Sequence, residues 1–411
     1  MAKTNRKPIS WAVCLLFLVC VSSTVAQDWP QWLGPNRDCK VAGFKAPQTW
    51  PQALTQKWKV PVGQGCSPPA LVGDKLYVFS RVGDNEVLQC LNAATGASLW
   101  QENYAVPAIS GPDSRQFSGP RSSPAVAQGK IVTFGVTGIL SCYNEADHKL
   151  LWRKDEFAGK WPRFHTSASP LIADGMCIAY VGGPDEGALI AYDLTSGDRK
   201  WAWDQDGPAY GSPAMTTIDG IKTIVTLTNK KVVAVNATNG ALMWEVAYEV
   251  PRRAYNAATP IVNGQTMIYA GQGRGTSAVK FSKDGDKFKA EELWTNPDNA
   301  VQYNTPVLKN GHIFSLSSQN NLVCINAQDG KTAWTNPTGG EGGYGSIVDA
   351  GPVLIALNAK SILTVFEPSA EGYKELASYT VSESPIHAFP VVSGNRFFVK
   401  DADSVILWTF Q

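Results

Sequence analysis

Charge is scarce in this chain. Asp, Glu, Lys and Arg make up only 17% of its 411 residues, and the formal net charge is +1. No basic block is present, which argues against nucleic acid as a partner. Long apolar runs are missing as well: residues 11–21 (WAVCLLFLVCV) are too few to cross a membrane as a helix, so no membrane span is expected. There is no CxxC and no Cys/His cluster, so nothing supports a structural zinc site. Without CxxCH there is no covalent haem. Histidine is rare, with four in all, and no nucleophile–base pair stands out. What abounds is glycine and proline, 37 and 26 residues, in a chain that is 44% hydrophobic. That suits a turn-rich all-β protein with a large core.

The first 26 residues read as a secretory signal. Lys3, Arg6 and Lys7 supply the positive start, residues 11–21 the apolar stretch, and Thr24-Val25-Ala26 the small residues at the cleavage site. Losing those three cations takes the net charge from +1 to about −2. Val19 is bulky for a lipid-attachment signal at Cys20. Soluble export to a periplasmic or extracellular location is therefore expected. Six cysteines follow the leader: Cys39, Cys66, Cys90, Cys142, Cys177 and Cys324. An even count in an oxidising compartment invites a disulfide reading. The repeat opposes it, because Cys90, Cys142 and Cys324 hold a slot that Ala191 and Ala234 fill elsewhere. Cys39 and Cys66 are left as the pair that geometry has to decide.

That slot belongs to a repeat. Five segments set a small residue and a tryptophan ten positions apart: CLNAATGASLW from Cys90, CYNEADHKLLW from Cys142, AYDLTSGDRKW from Ala191, AVNATNGALMW from Ala234 and CINAQDGKTAW from Cys324. Upstream of each, and of Trp294 as well, lies Ser/Thr-Pro and an apolar strand, starting at Ser67, Ser123, Ser169, Ser212, Thr259 and Thr305. Ser346 begins a seventh copy without the proline, and Phe389 an eighth without the hydroxyl. Starts recur every 41 to 56 residues, a period that marks repeat architectures. Each unit reads as four strands, and in four of them the turn before the last runs from Asn92, Asp193, Asn236 or Asn326 to Gly96, Gly197, Gly240 or Gly330. Such units are propeller blades.

The eighth unit stops before its fourth strand, and LTQKWKVPVG around Trp58 is an orphan fourth strand. The spacing therefore predicts an all-β, eight-bladed β-propeller of four-stranded antiparallel blades. The strand around Trp58 joins the last blade and closes the ring without an exposed edge. The organisation expected is a signal at 1–26, a lead-in at 27–56 lying on the outside, and the propeller at 57–411. Trp58, Trp100, Trp152, Trp201, Trp244, Trp294 and Trp334 are read as packing residues between blades, with Tyr379 as the seventh-blade counterpart. GQGRG at 271–275 sits between strands and reads as a β-turn.

The A-x-[DN]-x-x-[TD]-G-x-x-x-W segments, best seen at 191–201 and 234–244, resemble the tryptophan-docking repeat of the pyrroloquinoline quinone (PQQ) propeller superfamily. DWPQWLGPNRD at 28–38 resembles the start of many exported proteins of that kind. The resemblance spans nearly all of the chain after the leader. It implies either a quinoprotein dehydrogenase, with PQQ and Ca²⁺, or a non-enzymatic member such as the outer-membrane assembly lipoprotein of the BamB type. Departures favour the second. No two cysteines are adjacent, as the enzymes' disulfide beside the quinone would need. The acids expected near the channel (Asp113, Glu249, Asp298, Glu341 and Glu383) sit in no recognisable motif. A non-enzymatic binding scaffold without cofactor is expected, with a quinoprotein oxidoreductase as the alternative.

Any site is expected where the inner strands begin, because loops on a rigid scaffold carry binding residues. Two positions before each landmark stand Gly65, Arg121, Ser167, Tyr210, Ala257, Tyr303, Tyr344 and His387. His165, Arg252, Arg253, Tyr255 and Asn256 lie just beyond. One reading is a cationic, aromatic-rimmed funnel for a small anionic or polyhydroxyl ligand, or for a protein partner. Arginines would grip anions and tyrosines would stack on rings. The other is that the tyrosines plug the channel and the arginines pair with nearby carbonyls. A monomer is expected.

Overall fold

In the turn before the rim strand of five blades, a side chain does what backbone alone cannot. Asn92 Oδ1 accepts from the amides of Ala94 and Thr95, both at 3.0 Å, and Gly96 closes the turn at φ 74°. Asp193 repeats the arrangement with Thr195, Ser196 and Gly197. Asx side chains mimic backbone in this way, and glycine accepts the left-handed φ. A one-residue bulge follows, between Cys90 and Leu91 on the partner strand, and it aims Trp100 across the blade.

The computed structural model describes residues 27–109, 117–251, 254–285 and 287–410; the expected signal at 1–26 lies outside them. The described strands form eight four-stranded antiparallel sheets in a β-propeller. In the first, Ala70–Val72, Lys75–Val82, Asn85–Asn92 and Ser98–Ala105 follow one another from channel to rim. The eighth takes Val391–Ser393, Arg396–Lys400 and Ser404–Thr409 from the C-terminal end. Its rim strand is Thr55–Pro61, paired from Thr55↔Thr409 to Pro61↔Ser404. The ring closes as the spacing predicts.

Trp152, Trp201 and Trp294 sit on Gly197, Gly240 and Gly330 of the next blade. A Cβ on those glycines would come within 2.7, 2.6 and 2.5 Å of the rings. Their indole N–H groups donate to Leu194, Ala237 and Ala327 carbonyls at 3.0–3.1 Å. Where glycine is missing, a ring replaces it: Trp100 stacks on His148 at 4.3 Å and Trp244 on Phe281 at 4.2 Å. The expectation for blade 7 needs correction. By register, Val365 pairs with Ala377 before the bulge, so Ala377 holds the tryptophan position. Tyr379 lies two residues further on and donates instead to the Pro51 carbonyl at 2.9 Å.

The Ser/Thr-Pro landmark also has a structural job. Ser123 N–H donates to Ser169 Oγ at 2.9 Å, Ser169 N–H to Ser212 Oγ at 2.8 Å, and Thr259 N–H to Thr305 Oγ1 at 3.0 Å. Each of these hydroxyls thus satisfies the landmark amide of the preceding blade, two residues before its inner strand, where no strand partner exists.

The first half of the lead-in does not lie on the outside, while residues 42–53 run largely exposed to the rim at Tyr379. Residues 27–41 enter the central channel as a hairpin. Trp29 bridges to Leu71 of blade 1, the Pro30 carbonyl accepts from Val126 N–H of blade 2, and Val41 N–H donates to the Asp349 carbonyl of blade 7. The expectation followed from a segment rich in Pro and Trp with no strand pattern. The buried Trp29 and Leu33, at 1% and 2% exposure, are what draw it inside.

Candidate functional site

The landmark loops converge on one mouth of the channel. A cavity of about 180 Å³ opens there, lined by Cys66, Phe117, Arg121, Phe164, Tyr210, Tyr255, Tyr303, Tyr344, His387 and Phe389, with Trp32 of the hairpin. Its walls are rings in ordered contact. Tyr303 and Tyr344 stack at 4.2 Å and 12°, and Tyr344 meets His387 edge-on at 4.7 Å. Phe117 meets His387 at 4.9 Å. Across the mouth Phe164 meets Tyr255 at 4.9 Å, and Tyr210 meets Tyr255 at 5.7 Å, both edge-on. Such geometries hold each ring in place and leave faces and edges for a further ring.

Charge is largely withdrawn from this cavity. The Arg121 guanidinium donates to the Phe164 carbonyl and, at 3.2 Å, to the Phe117 carbonyl. Burial pushes the His387 imidazole down to about 4, so it is neutral near pH 7. Burial likewise raises the Tyr210 hydroxyl to about 12. Beneath the mouth, buried Lys400 donates to the Gly65 carbonyl at 3.0 Å and is lowered by burial to about 8.

Six of the ten residues expected at the funnel therefore come together: Arg121, Tyr210, Tyr255, Tyr303, Tyr344 and His387. His165 does not line the cavity; it is buried, and its ring stacks on Trp161 at 5.6 Å. Asn256 is structural. Its side-chain Nδ2 donates to the Thr228 carbonyl at 2.8 Å, and its main-chain carbonyl accepts from Tyr210 and Gly211 N–H. Asn256 and Tyr255 also border a neighbouring groove of about 170 Å³ with Pro162, Arg163, Pro184 and Pro208. Arg252 and Arg253 lie outside the described residues, as does Asp113. Counting back from the landmark missed Phe117 and Phe164, which stand further from it. Trp32 has no such distance to count, because the lead-in carries no landmark and no strand pattern that would place it in the channel.

A quinone held by calcium does not fit these residues. No carboxylate among the described residues lines the cavity, whereas Ca²⁺ takes six to eight oxygen ligands. No group of three His, Cys, Asp or Glu suited to a metal occurs among the described residues. All six cysteines there are free thiols, so Cys39 and Cys66 do not pair.

Comparison with known proteins adds kinship. The sequence model of the family described as outer membrane protein assembly factor BamB matches residues 83–336. The assembly factor BamB of Xanthomonas campestris pv. campestris is 26% identical over 259 residues. That match covers 59% of this chain and 61% of the relative, so the chain spans about three fifths of that relative's length. The crystal structure of BamB from Moraxella catarrhalis superposes with a TM-score of 0.64 at 16% identity, covering 87% of this chain and 98% of that one. Quinohemoprotein alcohol dehydrogenase from Comamonas testosteroni gives 0.65 at 14% identity, covering 93% and 80%. At such identities these structures share a fold with this chain.

Proposed function

The chain belongs to the family described as outer membrane protein assembly factor BamB, and from that premise we propose that it is an exported, non-enzymatic scaffold whose aromatic funnel holds a partner protein. One observation carries the reading. Among the described residues the channel mouth is a cavity walled by seven Phe and Tyr rings and the His387 imidazole besides the hairpin's own ring, and its arginine is already engaged by carbonyls. A charged ligand would meet, among the described residues, no carboxylate and only a guanidinium whose hydrogen bonds already go to carbonyls, so little offsets its lost hydration. An uncharged ring enters with its apolar area removed from water and its edges matched to ring faces. The size agrees, since a dry cavity of about 150 Å³ accepts benzene. The ligand expected is therefore an aromatic side chain presented by a partner, rather than an anion or a sugar. The relatives are named as an assembly factor, which supports a protein as the bearer of that ring.

The test uses N-phenyl-1-naphthylamine, an uncharged aromatic dye that brightens in apolar sites. The dye should bind, and Ac-Gly-Phe-Gly-NH2 should displace it while the Ala and Asp analogues do not. Tyr303→Ala and Tyr344→Ala should each weaken dye binding about tenfold, the loss of one well-buried ring contact. Unchanged affinity in both variants would move the site off the funnel. Stoichiometric PQQ binding with calcium, accompanied by dye-linked alcohol oxidation, would replace the scaffold with an oxidoreductase.

A further inference from the structure

The hairpin in the channel is held at a conformational cost that ring closure does not require. Three non-glycine residues adopt left-handed backbone within seven positions: Leu33 at φ 59°, Arg37 at 56° and Cys39 at 59°. Each is a strained choice for an L-residue and persists only where its surroundings over-determine it. Gly34, at φ 82°, lies against the Trp29 ring, where a Cβ would come within 3.2 Å. Arg37 is buried, with 7% exposure, and no carboxylate pairs with it among the described residues. It donates instead to the Pro170 carbonyl at 2.9 Å, the Ser169 carbonyl at 3.3 Å and Gln31 Oε1 at 3.2 Å. Burial lowers it to about 9. A guanidinium is thus spent on fastening the hairpin tip to blade 3.

The path of the hairpin shows what is being positioned. Gln27 and Asp28 are tied to Ser393 and Gly73, at the turn ends of the inner strands. The chain then rises to landmark level at residues 32–37 and returns to Ile347 and Asp349 through Cys39 and Val41. At the top stands Trp32. Its indole N–H donates to Thr259 Oγ1 at 3.0 Å, and its ring meets Phe389 edge-on at 4.8 Å. Thr259 is itself a member of the landmark hydroxyl belt, so Trp32 is fastened to the ring at the level of the landmark residues.

We propose that this hairpin is the floor of the funnel, and that Trp32 is the surface on which the ligand's uncharged ring rests. The hairpin turns a through-channel into a blind pocket and sets its depth at one aromatic ring. Trp32 is thereby a specificity-determining residue supplied from outside the blade repeat. The proposal rests on the funnel reading and can fail without it.

Trp32→Ala should weaken N-phenyl-1-naphthylamine binding about tenfold, while Trp32→Phe, which keeps an aromatic face, should stay within about threefold. The alanine variant should also admit a second ring. Ac-Gly-Trp-Gly-NH2 should gain on Ac-Gly-Phe-Gly-NH2 as a competitor, a change in preference that a merely structural role would not produce. If Trp32→Ala fails to fold, Thr259→Val serves. It removes the indole's acceptor and keeps the side-chain shape, and it should weaken dye binding about threefold. Dye binding that is lost in Tyr303→Ala but unchanged in folded Trp32→Ala, or in Thr259→Val, overturns the floor and leaves the funnel standing. Wild-type protein that binds no dye overturns the funnel itself.

Discussion

At the rim, Trp152, Trp201 and Trp294 each rest on a glycine of the next blade and donate to a carbonyl there. At the mouth, successive blades present Arg121, Ser167, Tyr210, Ala257, Tyr303, Tyr344 and His387 toward one cavity. The same eight-fold frame carries both. Every rim position faces the same neighbour, so one solution can be repeated. The mouth residues face one another across the axis, so a repeated side chain would meet its own copies. Repetition therefore serves packing, and departure from it is available for binding. The rim exceptions obey the packing rule as well: His148, at φ 63° where glycine usually stands, offers Trp100 a ring in place of a flat turn.

The sharpest way to break that contrast is at the rim. Trp201 is 7% exposed, and its ring fills the space above Gly240. Trp201→Ala should cost about 3–5 kcal/mol of stability through lost burial and the hole left behind. Denaturant unfolding measures this directly. Dye affinity at the funnel, read well below the transition, should stay at the wild-type value. A rim variant that weakened the funnel as much as the fold would show the two regions to be coupled.

How far each region was legible in the sequence follows from the same contrast. The rim could be read because its rule repeats: Cys90, Ala191 and Ala234 pair with Trp100, Trp201 and Trp244 as the ten-residue spacing implies. Tyr379 was misassigned because blade 7 has no tryptophan to count to, and the bulge alone fixes the position. The mouth was legible only where a residue kept a fixed distance from the landmark, as Tyr303, Tyr344 and His387 do. Phe117 and Phe164 reach the cavity from longer loops, whose paths have no period. The hairpin was opaque for a different reason. Its shape depends on contacts with blades 1, 2, 3, 5, 7 and 8, and none of these is local in sequence.

A smaller effect should come from pH at the mouth. His387 is held neutral by burial, at about 4 against the usual 6.5. Below the unfolded value the unfolded chain binds a proton that the folded chain refuses. Stability should therefore fall as pH drops from 6.5 toward 4 and level off below that. Above 6.5 this group contributes no slope. The loss amounts to about 1–3 kcal/mol, from 1.36 kcal/mol for each unit of difference. Denaturant midpoints across pH 4–7 should be flatter in His387→Gln than in the wild type. An identical slope in both would place the imidazole in water, outside the walls of the cavity.

The gentlest probe compares cysteines in the two regions. Cys90, Cys142 and Cys324 are buried opposite Trp100, Trp152 and Trp334, and burial pushes their thiols to about 11, 12 and 12. A thiol that rarely ionises and cannot be reached does not react. Cys66 lines the funnel and is partly exposed. Burial raises its thiol too, but the Arg121 and Lys400 cations oppose the shift. Maleimide should therefore label the folded protein at Cys66 first, more slowly than an unhindered thiol and faster as pH rises. Cys66→Ser should abolish that early labelling. Arg121→Gln should slow it by removing a cation that favours the thiolate, and saturating dye should slow it by occupying the cavity. Labelling that ignored the dye while Cys66 remained its target would mean that the ring binds elsewhere on the mouth, and the rim–mouth division would then have to be drawn around a different pocket.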